Sequence, residues 1–243
     1  MTSYTYEWYR DFLLDLRDRG YDFIKYRERP AAEPWVLLRH DVDYDPEKAL
    51  EIAEIEHEMD ISSTFFVLVT ADFYNALSES VGKTFRKIDR LGHDIGLHFD
   101  TGRYWEAEPN PQELQTKVRS EQTALRALGE FDIVETIAFH NPPSWTLDRQ
   151  FDGIESTYEP EFFGDIKYES DSLHRWREEP PLQDGKPSRL QILTHPVLWG
   201  ESDECLEHRI ISAQRRLLDR ADKCVVERTN IKWDPTNLTD VAR

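Results

Sequence analysis

The stretch LLRHDVDYDP, residues 37–46, decides the fold prediction for this chain. A short apolar run ends in His40, Asp41 and Asp43, just before Pro46, which suits the first turn of a helix. The predicted unit is therefore a strand followed by a helix, with polar side chains where the strand ends. In a parallel α/β fold this is the position at which functional residues collect.

The same alternation of strand and helix continues along the sequence. A helical stripe over residues 4–19 comes first and ends at Gly20. Strands are predicted at residues 35–38, 63–69, 94–99, 134–139, 166–168, 190–193 and 224–227. Helices are predicted at residues 46–58, before Gly92, at 111–128 and at 204–221. Buried strands alternating with helices of this length predict a parallel α/β sheet.

The number of strand–helix units indicates whether the sheet is open or closed. Six or seven units favour a closed barrel, with an open doubly wound sheet as the alternative. No internal repeat and no long flexible linker divides the 243 residues. We therefore expect residues 1–243 to form a single domain.

The charge of the chain limits its partners. Lys and Arg total 30 against 48 Asp and Glu, which gives a formal net charge of −18 with no local basic patch. Such a surface repels nucleic acid and anionic membranes, so neither is an expected partner. The acidity also suggests adaptation to concentrated salt. The charged N-terminal segment and the lack of a long apolar run predict a cytoplasmic protein without a membrane span.

Metal-binding and acid–base side chains cluster just after the predicted strands. They are His40, Asp41, Asp43, His98, Asp100, His140, Asn141, Asp171 and His195. Each has a plain structural explanation when taken alone, such as an imidazole bonded to backbone or an aspartate in a turn. In a parallel barrel, however, all these strand ends share one rim. Their coincidence on that rim predicts one common site.

This set of groups fits metal-assisted hydrolysis. Aspartate and histidine ligands suit Zn²⁺ first, and also Co²⁺, Ni²⁺ or Fe²⁺, whereas the scarcity of cysteine argues against a structural zinc site. A bound metal lowers the pKa of a water, a free carboxylate takes the proton, and an imidazole protonates the leaving group. A divalent metal is therefore the expected cofactor.

Five segments resemble the motifs of the polysaccharide deacetylase family, the NodB-like carbohydrate esterases, in the branch whose first motif reads HDVD. In chain order they are LRHDVD, GHDIGLHFD, AFHNPP, YESDSLHRW and ILTHPVLW. Their order and approximate spacing match from residue 36 to about residue 199. The resemblance implies a distorted (β/α) barrel with about seven parallel strands. It also implies a metal-dependent hydrolase that removes an N-acetyl group from a sugar or polysaccharide precursor.

The resemblance further implies a role for each matching residue. Asp41 corresponds to the general base, Asp43 to the metal-binding aspartate and His98 to a metal-binding histidine. His195 corresponds to the general acid, and Asp171 to the carboxylate that orients it. Because one residue separates Asp41 from Asp43, where the usual motif has adjacent aspartates, these two roles are interchangeable.

Two positions depart from the family pattern. Gly102 stands where a second metal-binding histidine should fall, and His140 replaces the arginine of the third motif. We expect His140 to complete the metal site as its third ligand. Arg39 and Arg103 are both candidates to replace the missing arginine as the partner of the base.

A saccharide substrate requires contacts for its sugar rings. Trp145, Trp176 and Trp199 follow the motifs closely and are the expected stacking residues, with Arg39 as a further substrate contact. Two other functions remain open. One is hydrolysis of a C–N bond in a nonsugar amide, and the other is a barrel that binds saccharide or metal without turnover.

Overall fold

A computed structural model describes residues 2–28, 32–183 and 185–229 of the chain. Its strands are β1 (Asp22–Ile24), β2 (Trp35–Val42), β3 (Thr64–Leu68), β4 (Asp94–Asp100), β5 (Ile133–His140), β6 (Lys167–Ser170) and β7 (Arg189–Thr194). Its α-helices are α1 (Tyr6–Asp18), α2 (Pro46–Glu58), α3 (Glu79–Arg90), α4 (Pro111–Gly129) and α5 (Leu206–Thr229). Short 3-10 helices follow β4, β5, β6 and β7.

The strands form one sheet in which every pair is parallel. The order is β5-β4-β3-β2-β7-β6, and β1 lies beside the first half of β2. The predicted α/β fold with seven parallel strands is confirmed. Because all strands run the same way, their carboxyl ends lie at the same edge of the sheet.

The two edge strands are joined by an irregular segment. Within the part of the chain that the structure describes, β5 and β6 form no ladder with each other. Instead, Ile137 of β5 accepts a hydrogen bond from Thr157 and donates one to Glu155, both at 2.9 Å. The amide of Gln191 on β7 donates to the carbonyl of Thr157 at 3.2 Å. This segment therefore connects β5 with β7 where the sheet itself has no ladder.

The helix after the first strand begins as its sequence indicates. Pro46 occupies the first turn of α2, and the Asp45 side chain accepts a hydrogen bond from the Glu47 amide at 3.2 Å. Asp45 is therefore a helix cap, which satisfies a backbone donor that the helix itself cannot. Asp43, two residues earlier, makes no such bond.

Two elements differ from the sequence-based prediction. The strand predicted at residues 224–227 is wrong, because these residues form the last turns of α5. The predicted strand that contains Val225 and Val226 is only four residues long. Such a run is too short for its hydrophobic period to distinguish a strand from the continuation of a helix. The short strand β1 was not predicted. None of the described helices is apolar over enough of its length to cross a bilayer.

A buried acid on α4 makes stability depend on pH. Glu121 is 6% exposed and accepts a hydrogen bond from Tyr104 Oη at 2.5 Å, while its Oε2 atom has no partner. Burial raises the pKa of Glu121 from 4.5 to about 7. A raised carboxyl pKa means that the protonated form favours folding, so this stability is present at low pH and lost as the pH rises through about 7.

We therefore expect Glu121→Gln to remove part of the pH dependence of folding. Between pH 5 and 8 the free energy of unfolding of the unmodified protein should fall further than that of the variant, by roughly 2–3 kcal/mol. Glutamine keeps the acceptor for Tyr104 and cannot ionise. Urea unfolding at both pH values measures the difference. Equal losses in the two proteins would contradict the raised pKa.

Candidate active site

The sheet brings the predicted site residues to a single edge. Asp43 follows β2, His98 lies near the end of β4, and His140 is the last residue of β5. His140 pairs in register with Asp100 of β4. Parallel neighbours therefore carry these groups to the same edge of the sheet, although almost a hundred positions of sequence separate Asp43 from His140.

Asp43, His98 and His140 form a compact group of possible metal ligands. Asp43 Oδ1 lies 3.2 Å from His98 Nε2 and 3.3 Å from His140 Nδ1, and the two ring nitrogens are 3.1 Å apart. Tetrahedral ligands about 2.1 Å from a zinc ion stand about 3.4 Å from one another. The three atoms thus have the spacing that a small divalent ion requires. Three protein ligands also leave one position open, as in catalytic zinc sites.

The surroundings of His98 prepare one ring nitrogen for a cation. His98 Nδ1 lies 2.9 Å from the carbonyl oxygen of Ala138, which can only accept, so Nδ1 carries the proton. The lone pair of Nε2 then points toward Asp43. Asp43 Oδ1 is itself buried and makes no hydrogen bond. Two acceptors held this close are best satisfied by a cation between them.

Charge around Asp43 keeps it ionised. Burial would raise its pKa, but His140 and His98 in their protonated forms outweigh burial and hold the pKa of Asp43 well below its usual range. For His140, burial lowers the pKa and Asp43 raises it, with a net rise. A divalent cation can take the place of the protons that lie between an ionised aspartate and two imidazoles, because all three groups are metal ligands.

Asn141 is a neighbour of the group that sequence analysis left without a role. Its side-chain nitrogen lies 2.9 Å from His140 Nε2. If the Asn141 amide is turned by half a turn, its oxygen faces His140 Nε2 and accepts a hydrogen bond from it. The proton then stays on His140 Nε2, and His140 Nδ1 is free to bind an ion. Asn141 has a φ of 42°, a left-handed conformation that asparagine tolerates better than most residues. In the sequence its only signal was its place among the polar side chains that follow the predicted strands.

Gly102 contributes nothing to this group. It lies in the 3-10 helix Thr101–Arg103, and its amide donates to Asp100 Oδ1 at 2.9 Å. His140 is instead the third group beside Asp43 and His98, as expected from the sequence.

Arg39 is the partner of Asp41 and does not contact solvent. It is fully buried, and its NH2 atom lies 2.8 Å from Asp41 Oδ2 and 2.9 Å from Tyr158 Oη. The expectation that Arg39 binds substrate is therefore wrong, because a side chain with no exposed surface cannot contact a ligand. Between the two arginines considered for this place, the structure selects Arg39, and its ion pair offsets the burial of a carboxylate.

Asp41 lies beside the group of possible metal ligands. Its Oδ2 atom lies 3.6 Å from His98 Nε2, and its Oδ1 atom is buried without a hydrogen bond. Burial by itself would raise the pKa of Asp41. Arg39 and the two nearby imidazoles lower the pKa by more than burial raises it, so the net change is a decrease. The carboxylate is thus ionised, with one oxygen held by Arg39 and the other free to accept a proton.

His195 is held by Asp171 on the other side of the site. Asp171 is fully buried, and its Oδ1 atom lies 2.6 Å from His195 Nδ1. The backbone amide of His195 and Trp199 Nε1 also donate to this carboxylate, at 3.0 and 2.9 Å. The carboxylate fixes the proton on Nδ1 and aims Nε2 at Asp43, whose Oδ2 atom is 3.9 Å away.

The same contacts favour the protonated form of His195. Burial alone would lower its pKa, but Asp171, Asp43 and Asp41 together raise the pKa of His195 to about 9. At neutral pH the imidazole is then cationic, with an Nε2 proton available to donate. A buried carboxylate that orients an imidazole in this way is the arrangement found in acid–base catalysis.

The expected tryptophan contacts with sugar are corrected for two of the three residues. Trp176 and Trp199 are both 0% exposed and pack against Trp8 and Phe12 of α1 or against each other. Neither ring face is open to a ligand. Proximity to a motif could not reveal this, because it depends on where α1 lies. Trp145 is half-buried and keeps part of its surface exposed.

Comparisons with known proteins find similar solved structures. No protein-family model and no curated protein matches the sequence. A chitin deacetylase from the fungal pathogen Colletotrichum lindemuthianum is 17% identical over 81% of this chain and 86% of that one, with a TM-score of 0.45. A carbohydrate esterase family 4 pseudoenzyme from Bacillus anthracis is 16% identical over 83% of this chain and 67% of its own, with a TM-score of 0.46.

A further similar structure contains a metal. It is a family 4 acetyl xylan esterase from Clostridium thermocellum in complex with a cobalt ion, 14% identical over 83% of this chain and 95% of that one, with a TM-score of 0.40. These structures belong to the family whose motifs the sequence resembles. At TM-scores of 0.40 to 0.46, the similarity of these structures carries no argument for function. The function is inferred from the residues of the site.

Proposed function

We propose that this chain is a divalent-metal-dependent hydrolase that removes an N-acetyl group from a saccharide. One observation carries the proposal: a group of three ligands lies between a buried carboxylate and a histidine held by a second carboxylate. These are the parts that hydrolysis of an amide needs, namely a cation, a base and an acid.

Asp43, His98 and His140 would hold the ion. The unpaired oxygen of Asp43 and the lone pair of His98 fit a cation, and two nitrogens with one oxygen suit Zn²⁺ or Co²⁺. When bound, such an ion lowers the pKa of a water and polarises the amide carbonyl.

Asp41 and His195 would move the protons. Asp41 accepts a proton from the attacking water through the oxygen that Arg39 does not hold. The new C–O bond forms at the carbonyl carbon, and the C–N bond breaks as His195 Nε2 gives its proton to the departing nitrogen. The products are acetate and an amine. Asp171 keeps His195 in the orientation and charge state that this transfer requires.

The saccharide part of the proposal is supported by the motif resemblance and by exposed apolar surface on two residues that lie in or just after the third and fourth motifs. Trp145 retains an exposed part that can stack on a sugar ring. Leu173, two residues after Asp171, is 82% exposed and has a left-handed φ of 54°, which is unusual for leucine. An exposed apolar side chain held in such a conformation suits contact with a methyl group or a sugar face.

The test combines metal analysis with a substrate screen. Protein loaded with Zn²⁺ is expected to hold one ion per chain and to release acetate from oligomers of N-acetylglucosamine, and a chelator should stop the release. Acetate from acetamide-type compounds alone would favour a nonsugar C–N hydrolase. Saccharide binding without acetate release would favour a protein that binds without turnover.

Two histidine variants make this test specific. His98→Gln should lose both the ion and the acetate release. His57→Gln should keep both, because His57 is an exposed residue of α2 outside the group of possible ligands, and its Nδ1 atom lies 2.9 Å from the Leu91 carbonyl. Equal losses in the two variants would show that the effect is not due to the proposed site.

A further inference from the structure

Helix α5 is attached to the body of the protein by its charged side. Arg209 is buried and donates to the carbonyl of Tyr4 at 3.1 Å. Arg216 bonds to Asp45, and Arg220 lies 3.6 Å from the same carboxylate. A surface helix usually turns its apolar stripe inward and its charges outward. In α5, Arg209, Arg216 and Arg220 face inward.

The opposite side of α5 carries an apolar stripe. Ile211, Leu218 and Val225 are 44%, 58% and 41% exposed and recur every seven residues. At about 100° per residue they lie roughly opposite Arg209, Arg216 and Arg220. Val226 is also exposed, but it lies about 100° around the helix from Val225 and so beside the stripe. A heptad-spaced aliphatic stripe facing solvent is the pattern by which helices pair.

Charges beside the stripe indicate which partner fits. Arg215 and Asp222 flank it on one side, and neither forms an ion pair within the described residues. In an antiparallel pair centred near Leu218, Arg215 of one helix would approach Asp222 of the other, and Ile211 would face Val225.

We propose that the exposed face of α5 binds a second copy of this chain, as an antiparallel helix pair with two-fold symmetry. One patch then serves both subunits and is complementary to itself in shape and charge. The contact is small, so we expect a dissociation constant of about micromolar order. This dimer does not depend on the proposed hydrolase activity, because no residue of the candidate active site lies on α5.

Sedimentation equilibrium over a range of concentrations tests the assembly. The full chain should form dimers, and Leu218→Asp should shift it to monomers at the same concentrations. The matched control is Leu14→Asp, because Leu14 of α1 is 44% exposed and lies outside the stripe. This variant should remain dimeric. Circular dichroism of each variant distinguishes loss of assembly from loss of folding.

A charge exchange tests the orientation of the helices. Arg215→Asp alone should weaken the dimer at least about tenfold, and adding Asp222→Arg should restore it. Leu218→Cys, with Cys205 and Cys224 replaced by serine, should form a disulfide across the two-fold axis. A full chain that stays monomeric up to about 100 μM overturns the proposal. A dimer that persists in Leu218→Asp also overturns it.

Discussion

Asp43→Asn is expected to abolish metal binding and acetate release together. Asparagine keeps the size of the side chain but removes the negative charge, and the two imidazoles then lack the anionic ligand between them. We expect the affinity for Zn²⁺ and the value of kcat/KM each to fall by about a thousandfold or more. Elemental analysis of the dialysed protein and an acetate assay measure the two effects.

The control for this change is Asp100→Asn. Asp100 lies at the end of β4, opposite His140 in register, where its Oδ1 atom accepts a hydrogen bond from the Gly102 amide, and it is not one of the three grouped ligands. Asparagine retains that hydrogen bond. This variant should bind zinc normally. If Asp43→Asn kept its ion, or if both variants lost it equally, Asp43 would not be a ligand.

Asp171→Asn is expected to reduce kcat by about a hundredfold to ten-thousandfold, with much less effect on zinc binding. The carboxylate accepts three N–H groups, two from His195 and one from Trp199. An amide turns one acceptor into a donor, so His195 loses its fixed proton and its charge. Burial of the mismatched amide should also cost roughly 1–3 kcal/mol of folding stability.

The pH profile separates these catalytic and structural effects. In the unmodified protein, the contact with Asp171 helps raise the pKa of His195 to about 9, so its acid form persists into the alkaline range. In Asp171→Asn the pKa of His195 should fall, and kcat should decline at lower pH. Trp199→Phe removes one donor but keeps the carboxylate, so its alkaline limb should stay in place. An unmoved limb in Asp171→Asn would contradict the proposed acid.

The sequence predicted the strands that build the site better than the outer elements. β2, β4, β5 and β7 begin or end close to the predicted positions, because each is a short apolar run that stops at polar residues. The predicted and the observed number of strands are both seven, but only because one wrong strand and one missed strand cancel. The predicted strand at residues 224–227 belongs to α5, and β1, only three residues long, was missed.

Side-chain neighbours could be predicted only where strand order implied them. The convergence of Asp43, His98 and His140 follows from parallel strands that end at one edge. The burial of Trp176 and Trp199 does not follow, since it depends on α1 packing over them. The same holds for Arg39, whose pairing with Asp41 and Tyr158 required the position of the segment between β5 and β6.

By itself the sequence determined the α/β fold, the edge of the sheet that carries the polar groups and the types of group found there. These properties are local, since they depend on the period of apolar residues and on where each run ends. Only the tertiary structure decided which groups touch, which are buried and which ring nitrogens carry protons. Those properties depend on distances of a few ångströms between residues far apart in the chain, and packing alone sets such distances.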